Sequence, residues 1–205
     1  MIAVVDYGVG NLFSLRSSLQ NIGEDPMVTG DPEVLRKADR VILPGVGAFE
    51  DAAQKLRDTG LAEVIRETAA RGIPLLGICL GMQLLFDKSF EYGEHPGLGL
   101  IPGEVRPIDG RIPENLKIPH MGWNSLRFLD DRPRCPLFQH LTQGEYVYFV
   151  HSYAAVDCEP YLSAVTDYGI PLTAAVQREQ IFGCQFHPEK SGPAGLAILK
   201  DFCRL

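Results

Sequence analysis

The residues best suited to chemistry surround Cys79. In Pro74-Leu75-Leu76-Gly77-Ile78-Cys79-Leu80-Gly81-Met82-Gln83, an apolar run ends at a cysteine with glycine two positions before it and two after. This is the G-x-nucleophile-x-G pattern of a sharp strand-to-helix turn. Side chains at Gly77 and Gly81 would crowd such a turn, so the thiol is pushed out above the sheet edge. A helix N-terminus behind it favours the reactive thiolate. A free cysteine is more often a small apolar core residue, so the pattern needs partners. One partner lies in Gly183-Cys184-Gln185-Phe186-His187-Pro188-Glu189-Lys190-Ser191. His187 and Glu189 are two apart, and Pro188 favours extended backbone at His187. On extended backbone, residues i and i+2 share a face. A carboxylate there can hold an imidazole's tautomer and steady its positive charge, the third role in a nucleophile–base–orienter triad. Alone, His-Pro-Glu reads as a surface turn; beside a cysteine elbow it completes a triad.

A third segment, Leu43-Pro44-Gly45-Val46-Gly47-Ala48-Phe49, follows an apolar run. Glycines there leave backbone N–H groups free to hold an oxyanion, together with the N–H of Leu80. The segment Gly8-Val9-Gly10-Asn11-Leu12-Phe13 begins like a dinucleotide fingerprint, but Phe13 stands where the third glycine is required. No phosphate-binding lysine loop is present, so nucleotide binding is disfavoured. His95 and His140 sit in polar, turn-rich stretches and read as surface residues. His120 and His151 each read as either a substitute base or a satisfied core histidine. Neither has a carboxylate as near in sequence as Glu189 is to His187. The aromatics around them read as core, unless an exposed Trp123 marks a binding face.

The elements that must position these groups alternate strand and helix over the first ninety residues. Apolar runs at 2–5, 27–28, 41–43 and 73–78 read as strands. Stretches 11–22, 48–71 and 80–86 read as helical. That alternation predicts a parallel sheet covered by helices. Strands are expected at 105–108, 123–129, 146–150, 162–165, 172–176 and 181–186, and a final helix over 194–205 with Pro193 at its start. With 205 residues and neither repeat nor linker, one domain over 1–205 is expected.

Composition narrows the function classes. Net charge is −7, which argues against a partner held by phosphate neutralisation. Five cysteines, none in a C-x-x-C pair, argue against a disulfide framework or a structural zinc site and for a reducing compartment, the cytoplasm. The N-terminal residues lack a signal-peptide pattern, and the longest apolar stretch is too broken to span a bilayer. No metal or cofactor and no nucleic-acid or membrane partner is expected.

The elbow, the His-Pro-Glu triplet and the glycine loop together resemble the class I glutamine amidotransferases. Within that class, further segments are similar to the glutaminase subunits of imidazole glycerol phosphate synthases. These are Asp6-Tyr7-Gly8-x-Gly10-Asn11-Leu12, Pro119-His120-Met121-Gly122-Trp123-Asn124, Tyr148-Phe149-Val150-His151-Ser152-Tyr153 and Lys190-Ser191. The resemblance implies a flavodoxin-like fold: a largely parallel sheet flanked by helices, with added antiparallel strands in the C-terminal half. It implies a Cys79–His187–Glu189 triad and an oxyanion hole from Val46, Gly47 and Leu80. Glutamine would be bound by Gly47, Gln83, Ser152 and Tyr153. It also implies a heterodimer with a (β/α)8-barrel cyclase that receives the ammonia, docked near Trp123, Asn124 and Lys190. Activity would stay low until that partner is loaded, gated by a misaimed peptide at Gly45–Gly47. Rival readings are amidotransferase subunits serving anthranilate or pyridoxal phosphate synthesis, a non-catalytic flavodoxin-like binding module, and a cysteine hydrolase acting on peptides or γ-glutamyl chains.

Overall fold

The computed structural model describes residues 1–205. Strands β1 (Ile2–Val5), β3 (Arg40–Leu43) and β4 (Leu75–Ile78) are short runs that, apart from the half-buried Arg40 at the start of β3, are apolar and buried on both faces, as parallel strands between helical layers must be. With β2 (Met27–Thr29) they alternate with α1 (Leu12–Asn21), α2 (Pro32–Arg36), α3 (Phe49–Asp58) and α4 (Leu61–Ala70). The stretch read as one helical region over 48–71 is two helices, because Gly60 turns left-handed at φ +72° and stops the first. Helix α2 was not anticipated, although its signals are present. The Asp31 side chain caps it by accepting from the Glu33 N–H, and Pro32 opens it.

The rest of the chain is α5 (Leu80–Leu84), β5 (Phe86–Ser89), β6 (His95–Pro96), β7 (Ile101–Pro107), β8 (His120–Ser125), β9 (Arg127–Phe128), β10 (Tyr146–His151), β11 (Tyr153–Val156), β12 (Leu162–Asp167), β13 (Pro171–Arg178), β14 (Ile181–Cys184) and α6 (Gly192–Phe202). One eight-stranded sheet takes the order β2-β1-β3-β4-β14-β13-β12-β9. Strands β13, β12 and β9 add to it antiparallel. Strand β14 lies parallel beside β4, although it comes from the C-terminal half. A second sheet, β11-β7-β5-β6, and a two-stranded ribbon, β10-β8, complete the architecture.

The main sheet separates two cores. On one face Leu56, Leu61, Ile65, Phe86 and Val105 pack together; on the other, Leu15, Leu19, Phe138, Phe149, Ile198 and Phe202 do so. Two differences from the sequence reading matter for the site. The helix expected over 80–86 ends at Leu84, and Phe86 begins β5. The strand expected over 181–186 ends at Cys184, which frees Gln185, Phe186 and His187 to turn into the site.

Candidate active site

Three adjacent parallel strands, β3, β4 and β14, end at one sheet edge. Leu43 pairs with Gly77, and Cys184 with Ile78, so their C-terminal ends are level. Ligand sites of open α/β sheets form at this edge. The chain leaves β3 into the Pro44–Gly47 segment, β4 into Cys79, and β14 into His187. The Cys79 N–H donates to the Cys184 carbonyl at 2.7 Å. Cys79 itself has φ 55° and ψ −113°, a conformation that costs a non-glycine residue about 1–3 kcal/mol. Its glycine neighbours are there for space. A Cβ on Gly81 would lie 1.9 Å from the Leu43 carbonyl oxygen, and one on Gly77 would lie 2.7 Å from the Gly81 carbonyl oxygen. Both contacts are with backbone, which cannot swing aside. Gly81→Ala is therefore expected to cost at least about 3 kcal/mol of stability, read from urea unfolding. A cost under about 1 kcal/mol would mean that the turn is looser than this geometry.

His187 Nδ1 lies 2.7 Å from Glu189 Oε1, and both side chains are buried. Glu189 Oε2 is buried with no hydrogen-bond partner, so His187 is the carboxylate's only side-chain partner. The turn that carries the pair is pinned to β10. The His187 N–H donates to the Tyr148 carbonyl at 2.9 Å. Ser191 Oγ donates to the His187 carbonyl at 2.6 Å and accepts from the Tyr148 N–H at 3.0 Å. Burial pulls the imidazole pKa down, but the hydrogen bonds and charges of Cys79 and Glu189 outweigh it and bring it up to about 9.

Cys79 and His187 open into one cavity of about 320 Å3, lined also by Val46, Gly47, Leu80, Gln83, Ser152 and Tyr153. Every residue expected to bind glutamine or hold its oxyanion therefore borders the same space. Gly47 has φ +93°, a backbone state that glycine adopts without strain. The Gln83 amide nitrogen is already engaged, donating to the Tyr153 carbonyl at 3.2 Å and to Gln185 Oε1 at 3.0 Å. What Gln83 can still offer is its carbonyl oxygen. Sequence reasoning missed Glu91, which also lines the cavity and whose carboxylate accepts from the Phe49 N–H at 2.5 Å. No local motif marks it; it arrives from the loop after β5.

Residues 3–205 match the family described as Glutamine amidotransferase class-I. The chain belongs to the class-I glutamine amidotransferase family. Among curated relatives, it is 50% identical over its whole length to the imidazole glycerol phosphate synthase subunit HisH of Moorella thermoacetica, covering 94% of that protein. It is 49% identical over its whole length to the subunit of the same name from Sulfurimonas denitrificans, covering 98% of it. Solved structures share the fold at low identity. One described as a glutamine amidotransferase aligns over 99% of this chain and 100% of its own at 17% identity and a TM-score of 0.75. PurLQS from Thermotoga maritima aligns over 99% and 97% at 22% identity and a TM-score of 0.72. The fold is thus that of class I amidotransferases, a mostly parallel sheet flanked by helices.

In this amidotransferase, burial pushes the thiols of Cys135 and Cys158 up to about 11 and that of Cys203 to about 12, and raises Cys184 well above its usual range. All five cysteines are unpaired. The residues expected at a docking face divide between two sides of β8. Trp123 is 55% exposed and meets Tyr148 edge-on at 6.2 Å, with Lys190 Nζ 5.9 Å from the Tyr148 ring centre. Asn124, one residue on, turns the other way, and its amide reaches His120 Nε2 at 3.2 Å and the Asp167 carbonyl at 2.9 Å. No helix is long and apolar enough to cross a membrane.

His120 and His151 are buried together. His120 Nδ1 meets His151 Nε2 at 2.9 Å, and His151 Nδ1 donates to the Tyr153 carbonyl at 2.8 Å. They read as satisfied core histidines. Burial lowers each from 6.5 to about 4. A histidine whose folded pKa is depressed stabilises the fold fully above its unfolded value, and that contribution is lost as pH falls through the folded one. Urea unfolding is therefore expected to show on the order of 3 kcal/mol of stability lost between pH 6.5 and 4. The loss should be smaller in His120→Gln; an equal loss in the variant would remove this pair as its source.

Proposed function

We propose that this chain is the glutaminase subunit of an imidazole glycerol phosphate synthase, acting through Cys79, His187 and Glu189. The observation that carries the chemistry is the meeting of Cys79 and His187 in one cavity, with Glu189 buried behind the imidazole. The shared name of full-length relatives near 50% identity carries the choice of synthase.

Cys79 gives its proton to His187, and the thiolate attacks the side-chain amide carbon of glutamine. The oxyanion is held by N–H groups of Leu80 and of Val46–Gly47. His187 returns the proton to the amide nitrogen, the C–N bond breaks, and ammonia leaves. Water, deprotonated by His187, then attacks the glutamyl thioester; the C–S bond breaks, and glutamate and Cys79 are released. Glu189 orients His187 throughout. Gln83, Ser152, Tyr153 and Gly47 hold the substrate, and Glu91 faces its ammonium group.

Ammonia released into water is protonated and lost, so direct delivery is the chemical need. In our reading a cyclase subunit, a (β/α)8 barrel, forms a heterodimer with this single-domain chain in the cytoplasm. It uses the ammonia to make imidazole glycerol phosphate and AICAR in histidine biosynthesis. The ribbon β8–β10 suits this docking. Its outer face carries Met121 and Trp123, both more than half exposed, beside Lys190, while Pro119 and Val150 at its base line the cavity. Asn124 then acts from behind that face. Substituting Gly45 or Gly47 should change partner-stimulated turnover; unchanged stimulation would remove the gating role of this loop.

One experiment separates this reading from its rivals. The chain is incubated with an electrophilic glutamine analogue, with and without the cyclase, and its peptides are mapped. Label on Cys79 alone, blocked by glutamine and accelerated by the cyclase, is expected. Label on Cys135, Cys158, Cys184 or Cys203, or none, would overturn it.

A further inference from the structure

We propose that Gln185 is a further catalytic residue of this site: its side-chain amide donates a hydrogen bond to the Cys79 sulfur and holds it as the thiolate. The inference rests on the amidotransferase reading above and adds a group outside the triad. Gln185 follows the last residue of β14 and is fully buried. Its Nε2 lies 3.8 Å from Cys79 Sγ, within range of an N–H···S contact.

The orientation of this amide is not a free choice. The Tyr153 carbonyl can only accept, and the Gln83 amide nitrogen lies 3.2 Å from it, so the Gln83 group there is the NH2. The same nitrogen lies 3.0 Å from the Gln185 side chain, so the Gln185 atom facing it is the oxygen. The Gln185 NH2 is then left pointing at Cys79. A flipped Gln185 would set two NH2 groups against each other in a buried place. The Tyr153 carbonyl also accepts from His151 Nδ1 at 2.8 Å, so this anchor is itself held from the ribbon side.

A buried amide N–H needs an acceptor. A neutral thiol is a weak one, whereas a thiolate makes a charge-assisted bond roughly twice as strong as a neutral one. Gln185 thus favours the charged sulfur over the neutral form. Other groups face that sulfur too. The Val150 carbonyl in β10 lies 3.9 Å away as an acceptor for the thiol. His187 faces it from the turn after β14, with Glu189 acting through His187. Glu91 borders the same cavity, and the Tyr7 phenol after β1 donates to the Pro44 carbonyl in the adjoining loop at 2.8 Å. Among the neutral side chains, Gln185 is the one that donates to Cys79 in this arrangement.

The test follows carbamidomethylation of Cys79 by iodoacetamide from pH 5 to 10 in the full chain, mapped by peptide mass. The parent is compared with Gln185→Met, of similar size without a donor, and Gln185→Glu, of the same shape with a repelling charge. Gln185→Met is expected to react about tenfold more slowly at pH 7, with the midpoint of its profile moved about one pH unit up. Gln185→Glu should move further the same way. Unmoved midpoints in folded variants would overturn the proposal. Should both variants fail to fold, the parent still decides. The Gln185 side-chain NH2 resonances should shift with Cys79 ionisation, and that shift should vanish in Cys79→Ala; resonances that ignore the cysteine overturn it. Failure of glutamine to protect Cys79, with the pH shifts intact, would instead overturn the amidotransferase reading and leave Gln185 its role on the sulfur.

Discussion

Cys79→Ser is expected to lower glutamine hydrolysis by about 10^4-fold or more while leaving the fold intact. The substitution exchanges one atom at a position whose surroundings are otherwise unchanged. Serine pays the same backbone strain at φ 55° as cysteine, and its neighbours Gly77 and Gly81 remain. Thermal stability should therefore hold. What is lost is acidity. An alcohol ionises far less readily than a thiol, so His187 can no longer take its proton before the attack. The Gln185 N–H then faces a neutral hydroxyl. Glutamate release should be measured with the cyclase present, and labelling by an electrophilic glutamine analogue should vanish with the activity. The four other thiols, raised by burial to about 11 or beyond, cannot substitute. Activity retained within tenfold would mean that the nucleophile lies elsewhere.

How much of this could be read before folding depends on how local the cause is. The elbow was legible because its demand is local and steric. Glycines two before and two after one cysteine have few other reasons to occur, and their missing Cβ atoms meet backbone at 2.7 and 1.9 Å. His187 and Glu189 were legible as a pair because they are two residues apart, but the chain brings them together through a 3-10 turn over Pro188–Lys190, with only His187 extended. Their meeting with Cys79 needed the sheet order: β14 inserts parallel beside β4 although about a hundred residues separate them, and no periodicity announces that. Strand β11 and the short strands β5 and β6 were missed for the same reason, since pairing partners rather than propensity make them strands. Glu91 reaches the cavity from a loop, and Gln185 reads as one more residue of an apolar strand. Only the observation that β14 stops at Cys184 turns Gln185 toward the nucleophile. The resemblance groups Asn124 with Trp123 at a docking face, but adjacent strand residues point to opposite faces, and the Asn124 amide lies on the His120 side.

His187→Asn is expected to remove about 10^4-fold of turnover, and the pH dependence of Glu189→Gln should show why. His187 must act twice, first as base toward the Cys79 thiol and then as acid toward the departing nitrogen. With its pKa at about 9, raised by the charges of Cys79 and Glu189, the imidazole holds the proton taken from Cys79 through the neutral range, ready for the second task. As pH rises through 9 that proton is lost, so kcat/KM should fall along an alkaline limb near that value. Glu189 is one cause of the raised value. Its carboxylate sits 2.7 Å from Nδ1, and its other oxygen has no partner to share the charge. Glutamine at 189 keeps the shape but removes the charge, so the imidazolium loses its counterion while burial still disfavours it. The alkaline limb should then move down by about one to two pH units, with a smaller fall in maximal rate than in His187→Asn. A limb that stays at the parent position in Glu189→Gln would mean that His187 does not set it. A limb that moves up would contradict the sign of the charge interaction, since removing a neighbouring anion can only make a buried imidazolium easier to deprotonate.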